Sequence, residues 1–435
     1  MPSQLRRVLI LGLNYPPERT GISPYTGAMA GGIASRSYET RALTAHPHYP
    51  DWAVKTGYGQ WVRRENIDGV HVSRLLHYVP SRPSGMRRAL SELTFGLRQA
   101  GQRWERPSVI VAVSPALIST AVSRLRSLIT HPKTPFVVWV QDLYSLGLSE
   151  TSQSGGIVLR TMQALEGWVL RRATRVIVIH DRFAKRVHHD FAVPMDRIEV
   201  IRNWTHLSRA PEVDRDLARV ALRWGTDEVI VLHAGNMGVK QGLGNVVEAG
   251  RLAQVGGHRV RFVFLGGGSE RAHLEELARD VDTVTFLEAL SESEFGAALQ
   301  AADVLLVNEK PGVAEMAVPS KLTSYFAAGR PVLAATDLAG ITAEEIRHSG
   351  GGAVVPAGDP QALLDGVLAL CADRSHASEL GASGRRFRDT VLDETTAIDA
   401  FDALLSGLID GDEPLDHFPK QTPEASSRPM NTETR

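Results

Sequence analysis

Two lysines stand in settings that suit the binding of an anion. Lys240 lies in "HAGNMGVKQGLGNVVEA", among Gly235, Gly238, Gly242 and Gly244 and directly after an apolar run. Glycines let backbone approach a ligand closely, and a lysine ammonium neutralises a phosphate as a point charge. The spacing is not that of a Walker A loop, since neither Ser nor Thr follows the lysine, and a solvated turn lysine is the plain alternative. Lys321 lies in "VPSKLTSYFAAGRPVLAAT", where Ser320 is a natural N-cap and Gly329 a helix stop before Pro331. A helix N-terminus with a lysine in its first turn attracts an anion by both dipole and charge; the lysine does nothing for the helix itself and so points to a ligand.

Three further stretches could contribute. "LGLNYPPERTGISPYTG" (11–27) leaves a strand-like run through a long loop, and Gly21, beyond Pro16 and Pro17, would let amides at the next helix start approach an anion or sugar hydroxyl. "FLGGGSER" offers Gly266, Gly267 and Gly268, but Arg271 stands where a dinucleotide fingerprint has its third glycine, so a tight turn is the simpler reading. Asp142 follows "FVVWVQ", either as a helix N-cap or as a carboxylate facing a cleft, and His180 ends "RVIVIH" as a structural or a contact residue. "HPH" (46–48) and "HH" (188–189) lack partners at ligand spacing, and neither a metal nor a cofactor is expected.

These loops need strands and helices to hold them. Val, Ile and Leu-rich runs at 7–13, 40–45, 108–114, 136–141, 175–180 and 198–203 alternate with amphipathic stretches such as 81–104 and 155–173. This is the pattern of a parallel sheet covered on both faces. The pattern restarts beyond a linker near 203–215, with runs at 228–236, 260–268, 284–290, 303–309, 330–336 and 351–359. The expectation is an α/β protein of two doubly wound, Rossmann-like domains facing across a cleft: residues 1–205, 206–385, a closing helix at 386–410 packing back on the first domain, and a disordered tail at 411–435.

Composition agrees with this. A chain of 435 residues is too long for one core, and 43% hydrophobic with 22% charged residues is an ordinary globular balance. The net charge of -1 gives no general attraction to nucleic acid, and the single cysteine, Cys371, excludes an internal disulfide and a cysteine metal cluster. The opening "MPSQLRRVLILGL" reads as a first strand, and no window is long and apolar enough to span a membrane, so a cytoplasmic location is expected, peripheral at most at the inner face of the plasma membrane.

Taken together, "NYPPERTGISPYTGAMA", "GNMGVKQGL", "LGGGSER", "FLEALSESEFGAALQAADVLLV" and "VPSKLTSYFAAGRPVLAATDLAG" resemble the retaining glycosyltransferases of family 4, which have the GT-B fold. "VQDLYS", "VIRNW" and "VPSKLTSYFAAGRPV" are similar, more narrowly, to bacterial fucosyl and N-acetylfucosaminyl transferases of capsule, O-antigen and colanic-acid assembly. The resemblance implies that Gly21, Lys240, Gly267, Ser320 and Lys321 bind a nucleoside-diphosphate sugar, and that Asp142 lies near the reacting sugar carbon on the side of a saccharide or lipid-linked acceptor. Two positions depart from the family: Asn236 stands where arginine is usual, and Ser324 where the second of two glutamates holds the ribose. Met316 occupies the first glutamate's place, and Glu315 beside it takes that role if the loop is shifted by one residue.

The resemblance also implies a metal-independent reaction with retention, in which lysines and helix amides stabilise the departing diphosphate. A nucleotide-sugar epimerase on the same fold and a non-catalytic scaffold are the alternatives. Finally, residues 77–107 concentrate Arg82, Arg87, Arg88, Arg98, Arg103 and Arg106 against Glu92 and Glu105, with Leu90, Leu93, Phe95, Leu97 and Trp104 among them. This reads either as a surface for anionic membrane, with Arg87 and Arg88 at its centre, or as a solvated helix with its apolar side in the core.

Overall fold

The computed structural model describes residues 6–18, 21–145, 156–204, 213–312 and 321–411. In the first domain the order is β1 (Arg7–Leu11), α1 (Ser23–Ala34), β2 (Glu39–Ala45), β3 (Val62–Ile67), β4 (Val70–Leu75), α2 (Gly85–Ala100), β5 (Val109–Ser114), α3 (Leu117–Thr130), β6 (Phe136–Val140), α4 (Gly156–Arg172), β7 (Arg175–Val178), α5 (Asp181–Phe191) and β8 (Ile198–Val200). The second continues with α6 (Arg215–Ala221), β9 (Val229–Ala234), α7 (Gly244–Val255), β10 (Val260–Leu265), α8 (Arg271–Leu277), β11 (Val284–Leu287), α9 (Glu292–Ala301), β12 (Val304–Asn308) and α10 (Lys321–Ala328). It closes with β13 (Val332–Thr336), α11 (Ile341–Ser349), β14 (Gly352–Pro356), α12 (Pro360–Ala372), α13 (Arg374–Thr390) and α14 (Glu394–Asp410).

Among the described residues the first sheet has eight strands, ordered β3-β4-β2-β1-β5-β6-β7-β8, and the second six, ordered β11-β10-β9-β12-β13-β14. Strands such as β5 and β6 are buried at every position, as parallel strands covered on both faces must be. The order turns back between β1 and β5 in one sheet and between β9 and β12 in the other, and crevices at the carboxyl ends of such strands are where sheets of this kind bind ligands. The loops carrying Gly21 and Lys240 leave β1 and β9 at these two points.

The sequence reading missed the hairpin β3–β4, the one antiparallel pair among the described strands. Ile67 pairs with Val70, leaving Asp68 and Gly69 as a two-residue turn with φ of 50° and 81°. Asp-Gly is the sequence signal for such a turn, and the charged Arg63, Arg64 and Glu65 of β3 suit an outer strand.

α14 lies against the first domain. Its Ile398, Phe401 and Leu405 join the core formed by Ile10, Met29, Val111 and Trp139, with the Phe401 and Trp139 rings 4.8 Å apart. Tyr38 donates a 2.6 Å hydrogen bond to Asp402, and Arg36 pairs with Asp399. Ile341, at the start of α11, is likewise buried with first-domain residues such as Leu143 and Phe183. Both helices thus tie the second half of the chain to the first.

Candidate active site

In the second domain three loops converge at the strand ends. Gly235, with φ of +122°, turns the chain out of β9. A Cβ on Gly266 would stand 2.5 Å from the Gly235 carbonyl oxygen, and one on Gly268 would stand 2.4 Å from that of Met237. The glycines of "LGGGSER" are therefore required because the β9 and β10 loops interlock. Gly267 is exposed, and its carbonyl accepts a 2.8 Å bond from the Met237 amide. Arg271, in the place of the fingerprint's third glycine, donates to the Gly266 carbonyl at 2.6 Å.

The turn carrying Lys240 is strapped to the end of β12. Asn308 donates its side-chain amide to the carbonyls of Gln241 (2.7 Å) and Gly242 (3.1 Å), and accepts from Asn245 at 3.0 Å. The Lys310 amide donates to the Lys240 carbonyl at 2.9 Å. This framework is rigid, and from it the side chains of Lys240 and Asn236 extend to the exposed surface.

Lys321 is the first residue of α10, and Ser324 stands three residues on, on the same helix face. Tyr325, buried one turn further, accepts from the Ala234 amide at 2.8 Å and so locks the helix onto the end of β9. Lys321 is half-buried, its ammonium 3.3 Å from His233 Nε2 and 3.8 Å from where a Cβ on Gly235 would stand. Burial pushes its pKa down to about 8, and the Glu309 carboxylate opposes the fall. Burial raises Glu309 above the usual carboxylate range, against hydrogen bonds from Thr336 and Thr342 and the charge of Lys321. Burial and the adjacent ammonium hold the His233 imidazole well below its ordinary pKa, so it is neutral. Neither His233 nor Glu309 was singled out from the sequence, although each ends a strand that points at a glycine loop.

On the first-domain side Gly21 has φ of +69°, which favours glycine, and a Cβ there would stand 3.4 Å from the Tyr49 ring. The loop before it is anchored by Glu18, which is buried and accepts from the amides of His48 (2.8 Å) and Tyr49 (2.9 Å), and by Arg74, which donates to the Pro16 carbonyl. Asp142 is exposed just beyond β6. The amides of Tyr144 and Ser145 donate to Glu166 of α4 at 2.7 and 3.1 Å, so Glu166 fixes the chain that follows Asp142. "VQDLYS" and "VIRNW" meet directly: Asn203 donates to Gln141 at 2.8 Å, and Trp204 stacks on Trp139 at 6.3 Å.

His180 proves to be part of the join between domains. It caps α5, accepting from the Arg182 amide, and its Nε2 lies 3.3 Å from Glu345 of α11. Arg202 bridges Glu345 (2.7 Å) and Asp181 (2.9 Å). Both arginines read as a membrane surface are exposed, and Arg88 also approaches Glu92 (3.6 Å) and lies over the Tyr144 ring at 5.8 Å. Burial pushes the Glu92 carboxyl up to about 7, while the Ile118 amide and Arg88 pull the other way. Glu315 and Ser320 lie outside the described residues.

This arrangement has counterparts in known proteins. Residues 20–204 match the glycosyl transferase 4-like domain, and residues 228–373 the glycosyl transferases group 1. The chain is 32% identical over 339 residues to the putative colanic acid biosynthesis glycosyl transferase WcaI of Escherichia coli, covering 74% of this chain and 81% of that protein. It belongs to the GT-B glycosyltransferases. Among solved structures, sucrose-phosphate synthase from Thermosynechococcus elongatus has the same fold, with a TM-score of 0.70 at 19% identity over 93% of this chain and all of that one. So does HepE from Anabaena in complex with UDP, with a TM-score of 0.66 at 18% identity over 92% of this chain and all of that one.

Proposed function

We propose that this glycosyltransferase moves a sugar, with retention, from a nucleoside-diphosphate donor to a lipid-linked saccharide in surface-polysaccharide assembly. The observation that carries the donor assignment is the pairing of a half-buried ammonium, Lys321, with the exposed Lys240 around one interlocked glycine framework. Structural neighbours include HepE bound to UDP, and the relative WcaI is named for colanic acid biosynthesis; both favour this reading.

In this reading the acceptor hydroxyl oxygen forms a bond to the anomeric carbon on the face that the diphosphate leaves. The bond from that carbon to the phosphate oxygen breaks, its electron pair stays with the phosphate, and the acceptor's proton passes to a phosphate oxygen. Lys240, Lys321 and the α10 amides stabilise the charge on the leaving group, and Asp142 supports the positive charge developing on the carbon. Gly21, Asn236, Gly267, Ser320 and Ser324 line the donor, with Glu315 at the sugar ring. Because lysines and amides carry the phosphate charge, no divalent metal is required.

The acceptor's membrane would meet α2. Its exposed Met86, Leu90, Leu93 and Leu97 recur at steps of four and three along one face, flanked by Arg87, while its inward face holds Ser91, Glu92 and Gln99 beside Phe95. A helix that turns its leucines outward suits an anionic lipid surface better than water.

The deciding experiment is a thermal-shift screen over nucleoside diphosphates and their sugars, followed by donor hydrolysis in excess chelator. A nucleoside diphosphate is expected to raise the melting temperature, because a ligand of the native state stabilises it. Hydrolysis is expected to persist without metal. No shift with any nucleotide, or activity restored only by a divalent cation, would overturn the reading.

A further inference from the structure

The setting of Lys321 goes beyond the presence of a positive charge. Lys321 is half-buried, its ammonium rests on a neutral imidazole, and it lies within the field of the half-buried Glu309 carboxylate. Lysine has no acceptor, so the 3.3 Å contact requires His233 Nε2 to be unprotonated and the ring proton to sit on Nδ1. Nδ1 is buried and finds no hydrogen-bond partner among the described residues, while the carbonyls of Asn236 and Leu306 oppose the fall of the ring's pKa. Phe264 closes another side of the imidazole, with ring centroids 6.1 Å apart. Glu309 is fixed in turn by Thr336 at the end of β13 and by Thr342 of α11, the latter at 2.8 Å.

We propose that His233 and Glu309 are the positioning residues of Lys321: His233 sets where the ammonium sits, and Glu309 keeps it charged until the donor diphosphate takes over as its counter-ion. The inference rests on the reading of Lys321 as a diphosphate ligand. The charged groups on the surrounding elements are Glu309 and Lys310 after β12, Asp337 after β13 and Lys240 in the β9 loop, with Arg385 of α13 at the far end of α10, where it donates to the Ala328 carbonyl. Glu309 is the group among them that raises the pKa of Lys321. Asp337 acts on Glu309, raising the carboxyl and so weakening its hold on the ammonium.

Turnover should therefore fall as pH rises through about 8, when Lys321 loses its proton. Glu309→Gln keeps the shape, its carbonyl oxygen accepting from one threonine hydroxyl and its amide donating to the other, but removes the charge, so this alkaline limb is expected to move down by about one pH unit or more. His233→Phe keeps a ring but removes the acceptor; kcat is expected to drop about tenfold with KM for the donor little changed, and His233→Gln, which restores an acceptor, to recover part of it. The experiment is a set of pH–rate profiles for donor hydrolysis by the wild type, Glu309→Gln, His233→Phe, His233→Gln and Lys321→Ala, with thermal melts of each. If Glu309→Gln retains the wild-type limb and His233→Phe the wild-type kcat while Lys321→Ala is impaired, the positioning role is overturned and the diphosphate role stands. If Lys321→Ala itself turns over normally, the diphosphate role falls. Should His233→Phe fail to fold, the limb in Glu309→Gln decides alone.

Discussion

At the scale of single residues, the two lysines differ in what surrounds them, and their variants should differ accordingly. Lys321→Ala and Lys240→Ala are each expected to lower kcat about a hundredfold, as loss of one electrostatic stabiliser does, while leaving the melting temperature within a few degrees of wild type. Near-normal kcat in both would remove them from the mechanism. On the proposed role for its charge, Asp142→Asn should leave nucleotide binding intact and sharply lower transfer; unchanged transfer would make it structural. The placement of Lys240 in a glycine turn and of Lys321 at a helix start was legible in the sequence because glycine clusters and helix-start signals are local. His233 and Glu309 were not legible, because a histidine inside an apolar run and a glutamate at its end acquire meaning only when β9, β12 and α10 are brought together. His180 shows the converse: its position at a strand end invited a role at the cleft, and a partner 165 residues away in the chain, Glu345, gives it one at the domain join instead.

At the scale of elements, the strands were readable wherever an apolar run was long and buried on both faces, and the hairpin β3–β4 was missed because its alternating, charged outer strand looks like loop. α2 is the element on whose face the proposed acceptor surface depends. Its close approach to α3 is set by Gly96, where a Cβ would stand 2.8 Å from the Ser119 Cα, so the polar inner face is packed backbone to backbone and the leucines are left outside. Arg88, though exposed, pairs with the buried Glu92, and reversing its charge would place a carboxylate beside a buried one. A cleaner probe of the outer face is Arg87→Glu with Leu97→Ser. The wild type is expected to sediment with anionic vesicles at low salt and to be released as salt rises, and the double variant to remain in solution while hydrolysing donor at the wild-type rate. Wild-type protein that ignores anionic vesicles, or a variant that still binds them, would make α2 a solvated helix and favour a soluble acceptor.

At the scale of the whole molecule, the question is what holds two separately cored domains in register across a cleft that must admit a donor. Among the described residues this is done by apolar contacts at Ile341 and along α14, by the ion pairs of Arg36 with Asp399 and Arg182 with Glu344, and by a buried cluster of Glu345 with Arg202 and His180. Burial alone would raise the Glu345 pKa, but His180 and Arg202 outweigh it and hold the carboxyl below its usual range. The sign follows from that direction. A carboxylate whose folded pKa is depressed contributes stability that is complete above its unfolded value of about 4.5 and is lost as pH falls through the lower folded value. Glu345→Gln removes the charge and leaves the half-buried Arg202 with Asp181 as its remaining counter-ion, so it should cost about 2 kcal/mol near neutral pH, the worth of a hydrogen bond to a charged group. Melting temperatures of wild type and Glu345→Gln, followed from pH 7 downwards, are therefore expected to lie well apart at neutrality and to converge below pH 4.5, where the wild-type carboxyl takes up its proton. A constant separation down to the lowest pH would mean that the cluster acts through packing alone. The same helix that carries Glu345 carries Thr342, the hydrogen-bond donor to Glu309, so the variant should also raise KM for the donor: loosening α11 disturbs the carboxylate that keeps Lys321 charged. An unchanged KM alongside a lowered melting temperature would separate the domain join from the donor site.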